Sequence, residues 1–259
     1  MFVMINFDEN NKYLLSGIYN VSMSEIDRCQ MVKPAALLNF MQDLAAKSIN
    51  RIDENLSCEA LLDKGLGWFL IRYRIEFDDY PIGVDAVKVL TECRGVNRMT
   101  TYRDFDVYDL KSDKRLLRAV TSWFLVDLKS KSIANILQNS PDFITFEKRE
   151  DDLSLQKIRP ITEPDKEKMF HVRYDDLDMN GHVNNTVYIT WAMETLDFNF
   201  RASHKLKFLD IYFKHEVKYG DDILSAVKMD SENLISTHLI TDSKTGTEVC
   251  LLKAQYIAI

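Results

Sequence analysis

The sequence is poor in residues that break regular structure or crosslink a chain. Only 8 of its 259 residues are glycine and 5 are proline, which argues against a disordered or low-complexity protein. Its four cysteines are scattered and none forms a Cys-x-x-Cys pair, so zinc-ribbon and dithiol redox motifs are excluded. We therefore expect a folded protein from a reduced compartment, with its cysteines packed as small hydrophobic residues.

Long apolar runs and an excess of positive charge are also missing. No segment approaches the roughly 20 apolar residues that span a bilayer, and no basic stretch precedes an apolar one at the N-terminus. We expect no membrane span, no signal or transit peptide, and a cytoplasmic location. The net charge is −7, from 33 basic and 40 acidic residues, and it argues against a nucleic-acid partner.

What the sequence does contain is an internal repeat. Asp27 and Val32 have the spacing of Asp178 and Val183, and an apolar stripe with helical periodicity follows each pair. Strand-like segments follow each helix, over 69–77, 84–92, 100–107 and 116–128 in the first copy and over 207–217, 223–229, 234–241 and 248–259 in the second. Each copy is predicted to be one long helix on the apolar face of an antiparallel sheet, an α+β fold.

The repeat also sets the predicted domain boundaries. Residues 146–168 are polar and charged and contain two prolines, as is typical of a connector. We predict an N-terminal domain over 1–145, a linker over 146–168 and a C-terminal domain over 169–259. The methionine and aromatic residues of the first domain suit an apolar pocket, and they suit an ordinary core as well.

Polar chemistry is concentrated in the second copy. Asp178, Asn180 and His182 alternate directly before the second helix, for which Asn184 or Asn185 is a suitable N-cap. The free N–H groups and partial positive charge of a helix start can stabilise an oxyanion. An unperturbed imidazole titrates near pH ~6.5, so the histidine of this trio is the first candidate for proton transfer.

The first copy has Cys29 and Met31 where the second has its asparagine and histidine, so only the second copy is predicted to be catalytic. Three direct roles are open for Asp178: it can orient the imidazole, act as a base on water, or attack as a nucleophile. Because Asp27 keeps the same place in the apolar copy, a purely structural turn role stays open too.

A second carboxylate, Glu216, is a candidate base for water activation. It falls late in the strand predicted over 208–217, where strict alternation places His215 on the helix-facing side instead. A bulge or an early strand end would change this, and the alternative for Glu216 is a solvated strand charge. No Gly-x-Ser-x-Gly elbow, phosphate loop or dinucleotide fingerprint is present and the other histidines are isolated, so we predict no cofactor and no metal.

Residues 177–188, Leu-Asp-Met-Asn-Gly-His-Val-Asn-Asn-Thr-Val-Tyr, resemble the central motif of the acyl-[acyl carrier protein] thioesterases, a plant-type family that also occurs in bacteria. The resemblance extends to Trp68, to 80–84 and to 123–127, and it covers nearly the whole chain. It implies a double hot dog fold, with two tandem repeats of a long helix packed on an antiparallel sheet. The first repeat would then hold the acyl chain and the second the catalytic residues.

The resemblance implies that Asp178, Asn180, His182 and Glu216 are the catalytic residues. The implied reaction is hydrolysis of a fatty acyl thioester, with acyl carrier protein as the partner and free fatty acid as a product. Val217 stands where many plant members have a cysteine, so water or the Asp178 carboxylate must attack, not a thiolate. The lack of a plastid segment fits a bacterial enzyme.

Three other functions stay open: an acyl-coenzyme A thioesterase, a hydratase or dehydratase, and a non-catalytic acyl-thioester sensor. A homodimer and the preferred acyl chain length are left open as well. An acidic carrier needs a local basic patch on this acidic chain. The candidate patches are Arg201 with Lys205 and Lys207, Arg28 with Lys33, and Arg94 with Arg98.

Overall fold

The computed structural model describes residues 3–7 and 9–259. The strands are β1 (Val3–Phe7), β2 (Leu14–Asn20), β3 (Leu66–Phe77), β4 (Ala86–Asn97), β5 (Thr100–Asp109), β6 (Arg115–Asp127), β7 (Lys166–His171), β8 (His204–Phe213), β9 (Asp222–Asp230), β10 (Ile235–Asp242) and β11 (Glu248–Ala258). The helices are α1 (Pro34–Ile52), α2 (Cys58–Asp63), α3 (Ile136–Asn139), α4 (Asn185–Thr195) and α5 (Phe198–Ser203). Within the described residues no helix has the length and apolarity to cross a membrane.

All the described strands join one antiparallel sheet in the order β1-β2-β4-β5-β6-β3-β8-β11-β10-β9-β7. We call β1–β6 with α1–α3 the first repeat and β7–β11 with α4 and α5 the second. The repeats meet edge to edge where β3 pairs with β8. Sequence periodicity predicts two helix-and-sheet units, but it does not show that their sheets merge.

The two long helices bury apolar stripes against this sheet. α1 begins with Pro34 in its first turn, where a missing N–H costs nothing, and it buries residues at every third or fourth position. α4 has 11 residues against 19 in α1, and its buried residues include Tyr188 and Trp191. The two helices contact each other, and buried residues of both repeats form one continuous hydrophobic core.

Three strands precede the helices and were not predicted. β2 and β7 occupy matching places, beside β4 in the first repeat and beside β9 in the second. β7 begins at Lys166, before the predicted end of the linker, and five of its six residues are exposed. An exposed edge strand needs no alternating apolar pattern, so periodicity could not reveal it.

The junction between the repeats contains a buried ion pair. Arg74 of β3 donates to Asp210 of β8 at 2.6 Å, and the aspartate is only 3% exposed. Burial raises the pKa of Asp210 to about 6, while the adjacent Arg74 favours the charged form. The side chain of Arg74 also packs over the ring of Phe208. The charges that join the sheets therefore lie in a largely desolvated place.

The first part of the predicted linker is fastened to the first repeat. Arg94, buried on β4, donates to Asp104, to Asp152 at 2.6 Å and to the Glu147 carbonyl at 2.8 Å. Arg149 forms a further bidentate pair with Glu92. These bonds fix residues 147–152 on the sheet, and the linker boundaries at 146 and 168 stay a prediction.

Candidate active site

The polar trio lies on a tight loop, residues 177–183, which we call the site loop. The Asp178 carboxylate accepts the backbone N–H groups of Asn180 at 2.8 Å and His182 at 3.2 Å. The Asp178 N–H in turn donates to the His182 carbonyl at 2.7 Å, and Gly181 supplies a residue with φ +75°. The aspartate therefore folds the loop and sets the direction in which the histidine leaves it.

The first repeat has a loop with the same hydrogen bonds, residues 26–32, which we call the counterpart loop. Its Asp27 carboxylate accepts the N–H groups of Cys29 at 2.8 Å and Met31 at 3.0 Å. The Asp27 N–H donates to the Met31 carbonyl at 2.8 Å. Since Cys29 and Met31 stand in this loop in place of Asn180 and His182, its aspartate has a structural task there. The same bonds support a loop-shaping role for Asp178.

Glu216 reaches the histidine of the site loop. His182 Nε2 lies 3.3 Å from Glu216 Oε2, and the two side chains are 22% and 24% exposed. A carboxylate beside an imidazole is an arrangement suited to proton transfer, and the partial exposure leaves room for a reacting group. The structure therefore brings together two of the four candidate residues, although they lie 34 positions apart in the sequence.

The expected strand over 208–217 ends early, and this is what turns Glu216 toward the site. β8 stops at Phe213, and the N–H groups of Lys214 and His215 both donate to the Val249 carbonyl, at 2.9 and 3.3 Å. Two residues thus oppose one, as in a bulge, and the alternation is lost. His215 is exposed, so its predicted helix-facing orientation is wrong.

The position of Glu216 has a counterpart in the first repeat. Val183 N–H donates to the Val217 carbonyl at 2.9 Å, as Val32 N–H donates to the Pro81 carbonyl at 3.0 Å. Tyr80, directly before that proline, therefore matches Glu216. It is buried, and its hydroxyl donates to the Val32 carbonyl at 2.7 Å. Tyrosine and methionine thus fill the first repeat where glutamate and histidine stand in the second.

The start of α4 offers fewer free donors than expected. Asn184 is the N-cap, and its side chain accepts the N–H of Thr186 at 3.0 Å. The N–H groups of Asn180 to Asn184 and of Val187 also have acceptors. Among the described residues, only the Asn185 N–H in this stretch lacks one. The expected set of free helix N–H groups is therefore reduced to a single backbone donor.

Two further side chains border the site. Asn180 is exposed at the rim, with its Nδ2 3.5 Å from Asp178 Oδ2, a weak contact that leaves the amide available. Tyr188 of α4 is buried below, where its ring packs edge-on against Trp191 and Phe213. Burial raises the pKa of the Tyr188 phenol, so the ring stays neutral.

A lysine of the first repeat completes the cluster. Lys131, in the turn after β6, places its Nζ 3.1 Å from the same Oε2 of Glu216. Sequence reasoning missed this residue, because a turn lysine remote from the motif carries no local signal. Among the described residues no group of three or more His, Cys, Asp or Glu is arranged to hold a metal ion.

Three residues of the candidate basic patches form ion pairs within the protein. Arg94 is buried in the linker cluster, so it is not available for docking. Arg201 pairs with Glu194 and Lys205 with Asp79. Lys205 also lies at the opposite end of β8 from the site, about 26 Å from Phe213 at ~3.3 Å per strand residue.

Known protein families match both repeats of this chain. The family model "Acyl-ACP thioesterase N-terminal domain" matches residues 12–144, and "Acyl-ACP thioesterase C-terminal domain" matches residues 160–258. An oleoyl-acyl carrier protein thioesterase of Arabidopsis thaliana is 26% identical over 226 residues, 82% of this chain and 60% of that protein. A dodecanoyl-[acyl-carrier-protein] hydrolase of Umbellularia californica is 27% identical over 240 residues, 85% of this chain and 62% of that protein. The chain spans about three-fifths of the length of these relatives.

Solved structures share the fold. An acyl-ACP thioesterase from Bacteroides thetaiotaomicron aligns with a TM-score of 0.82 at 22% identity, over 97% of this chain and all of the other. The 12:0-ACP thioesterase from Umbellularia californica aligns with a TM-score of 0.82 at 21% identity, over 98% of this chain and all of the other. The predicted double hot dog fold is confirmed. With both domain models matched across most of its length, the chain belongs to the acyl-ACP thioesterase family.

Proposed function

We propose that this protein hydrolyses the thioester of a fatty acyl-[acyl carrier protein], releasing the free fatty acid and the thiol of the carrier. The observation that carries the proposal is the 3.3 Å approach of His182 Nε2 to Glu216 Oε2 in a partly open site. Only the second repeat has this pair, since the first repeat has Met31 and Tyr80 at the matching positions. Family membership supports the same substrate class.

In the proposed reaction, water attacks the thioester carbonyl carbon while Glu216 and His182 together accept its proton. The negative charge that develops on the carbonyl oxygen is stabilised by the Asn185 N–H and the amide of Asn180. The carbon–sulfur bond then breaks, and His182 returns the proton to the leaving sulfur. The products are a carboxylic acid and a thiol, so one water molecule accounts for every atom added.

Asp178 has a supporting role in this scheme. Its Oδ1 already accepts two backbone N–H groups, and the same two bonds recur at Asp27 in a loop without catalytic side chains. The bonds of Asp178 thus have a match in the repeat that lacks an imidazole, whereas the His182–Glu216 pair has no such match. We therefore assign the activation of water to the His182–Glu216 pair.

The acyl chain is proposed to lie along the apolar interior of the first repeat. α1 passes close to the start of α4, since Asn185 Nδ2 lies 3.4 Å from Gln42 Oε1. On both sides of this glutamine, α1 buries large apolar residues, among them Phe40, Met41 and Leu44. A chain attached at the site loop would thus meet the first-repeat core directly.

Thiol release from a panel of acyl-carrier thioesters tests the function. We expect His182→Ala and Glu216→Gln to lower kcat by about 10²–10⁴ with folding intact, because each removes one proton-transfer group. The matched control is His215→Ala, which removes an exposed imidazole next to the glutamate. Near wild-type turnover in the first two variants would remove this assignment.

The same panel separates the alternative functions. An enoyl product, seen by its ultraviolet absorbance, would indicate a hydratase or dehydratase. Tight acyl-thioester binding without thiol release would indicate a sensor, and faster release from acyl-coenzyme A than from the carrier would indicate the other thioesterase class. The His182–Glu216 pair argues against the sensor, which has no use for proton transfer.

A further inference from the structure

The catalytic carboxylate has a second partner from the other repeat. Lys131 Nζ donates to Glu216 Oε2 at 3.1 Å, the oxygen that also faces His182. Glu216 Oε1 is buried and has no hydrogen-bond partner among the described residues. Among the described residues, the ammonium is thus one of two polar groups within 3.5 Å of this carboxylate, and it comes from a turn 85 positions earlier in the chain.

The turn that carries Lys131 is held by several hydrogen bonds from one aspartate. The Asp127 carboxylate accepts the N–H groups of Lys129 at 3.0 Å and Ser130 at 2.7 Å, and its own carbonyl accepts the Lys131 N–H at 2.8 Å. Lys131 has φ 57°, a left-handed conformation that is unfavourable for a side chain with a Cβ. The turn therefore fixes the base of the lysine side chain at some conformational cost.

Within the described part of the chain, three other turns have the same form, with an aspartate that accepts N–H groups two and three residues ahead and a left-handed residue after them. Their left-handed residues are Asp113, Leu234 and Gly246. Glycine is the unstrained choice. Where a side chain is present it has a contact of its own: Asp113 pairs with Lys88 at 2.6 Å, and Leu234 packs on the core. The turn does not demand lysine, so the contact with Glu216 is the feature that distinguishes position 131.

We propose that Lys131 is a positioning residue of the active site, an inference that rests on the proposed hydrolase function. Its ammonium holds Oε2 of Glu216, so the carboxylate keeps one orientation beside His182 while water attacks. Without it, the glutamate side chain has a single polar partner and rotates among several staggered conformations. The first repeat then takes part in catalysis as well as in holding the acyl chain.

Lys131→Gly is the sharpest variant, because it removes the ammonium and also relieves the left-handed strain. Its matched control is Asp113→Gly, which relieves the same strain in a turn at the far end of β6. A surface ion pair contributes only ~0–1 kcal/mol to stability, so both variants should unfold near wild-type denaturant concentrations. We expect kcat to fall about 10- to 100-fold in Lys131→Gly and to stay unchanged in Asp113→Gly.

Two further variants test the charge itself. Lys131→Met keeps the length of the side chain and should match the glycine variant, whereas Lys131→Arg should restore most of the activity. Each is assayed on an acyl-carrier substrate and on a short acyl-pantetheine thioester without the carrier. A fall in kcat on both substrates supports the proposal. A rise in KM for the carrier substrate alone, or no change, overturns it.

A crystal structure of Lys131→Gly gives a readout that does not depend on activity. We expect the Glu216 carboxylate to move away from His182 or to occupy several conformers. A Glu216 Oε2 still held 3.3 Å from His182 Nε2 would overturn the positioning role. A wild-type protein that releases thiol from no acyl thioester would instead refute the proposed function, and the structural comparison would still decide the positioning role.

Discussion

Tyr80 stands in the first repeat at the backbone position that Glu216 takes in the second. The tyrosine is buried and donates to the Val32 carbonyl at 2.7 Å, whereas the glutamate is partly exposed and lies 3.3 Å from His182. One backbone framework therefore supports a closed structural contact in one repeat and an open polar pair in the other.

Opposite effects on stability and activity follow from this relationship. Tyr80→Phe leaves a buried carbonyl without its donor, so we expect a loss of about 1–3 kcal/mol in the free energy of unfolding with kcat unchanged. Glu216→Gln should lower kcat and leave the free energy of unfolding nearly unchanged. Urea denaturation and thiol release on both variants check this. A Glu216→Gln protein with a clearly lower free energy of unfolding would contradict it.

Asp178 should tolerate loss of its charge better than loss of its oxygen atoms. Asp178→Asn keeps an acceptor for the Asn180 and His182 N–H groups, so we expect kcat within about tenfold of wild type. Asp178→Ala removes the acceptor and should lower both activity and stability. Asp27→Ala is the control, since it removes the same bonds from the counterpart loop and should lower stability alone. An inactive but stable Asp178→Asn protein would indicate a direct chemical role.

The buried Asp210 predicts a pH dependence of stability. Burial raises its pKa from 3.8 to about 6, so the folded state binds this proton more tightly than the unfolded state does. The stabilising contribution is complete below pH ~4 and is lost as the pH rises through ~6. Asp210→Asn lacks this titration.

The test is the free energy of unfolding of wild type minus that of Asp210→Asn, measured in urea at pH 4.5 and pH 7. We expect this difference to fall by about 2 kcal/mol between the two values, since one pKa unit corresponds to ~1.4 kcal/mol. Other carboxylates titrate in both proteins and cancel in the difference. A difference that grows with pH would show that the pair with Arg74 outweighs burial.

Carrier docking should depend on lysines at the site end of the sheet. Lys129 and Lys218 are exposed near Glu216, whereas Lys207 is exposed near the opposite end of β8. Lys129→Glu and Lys218→Glu should raise KM for an acyl-carrier substrate several-fold. The same variants should leave KM for an acyl-pantetheine thioester unchanged. Lys207→Glu is the matched control and should change neither value. A rise in KM for the carrier substrate in Lys207→Glu alone would move the docking surface to the other end.

Much of the architecture was predictable from local patterns. The two-unit α+β fold was predicted from the repeat of Asp27 and Asp178, the helical stripes and the alternating segments. That prediction is confirmed. β7 was missed because its exposed residues lack the alternation that a half-buried strand requires. The end of β8 was misplaced because the bulge opposite Val249 is set by pairing with β11, not by the residues of β8.

The sequence by itself determined which repeat carries polar chemistry, since an asparagine and a histidine at 180 and 182 replace a cysteine and a methionine. Only the tertiary structure decided which groups meet. The bend after Phe213 turns Glu216 toward His182, and the pairing of the two sheets brings Lys131 to the same carboxylate. Periodicity reports how a residue relates to its own helix or strand. Contacts between distant segments depend on strand ends and sheet pairing, which local spacing does not encode.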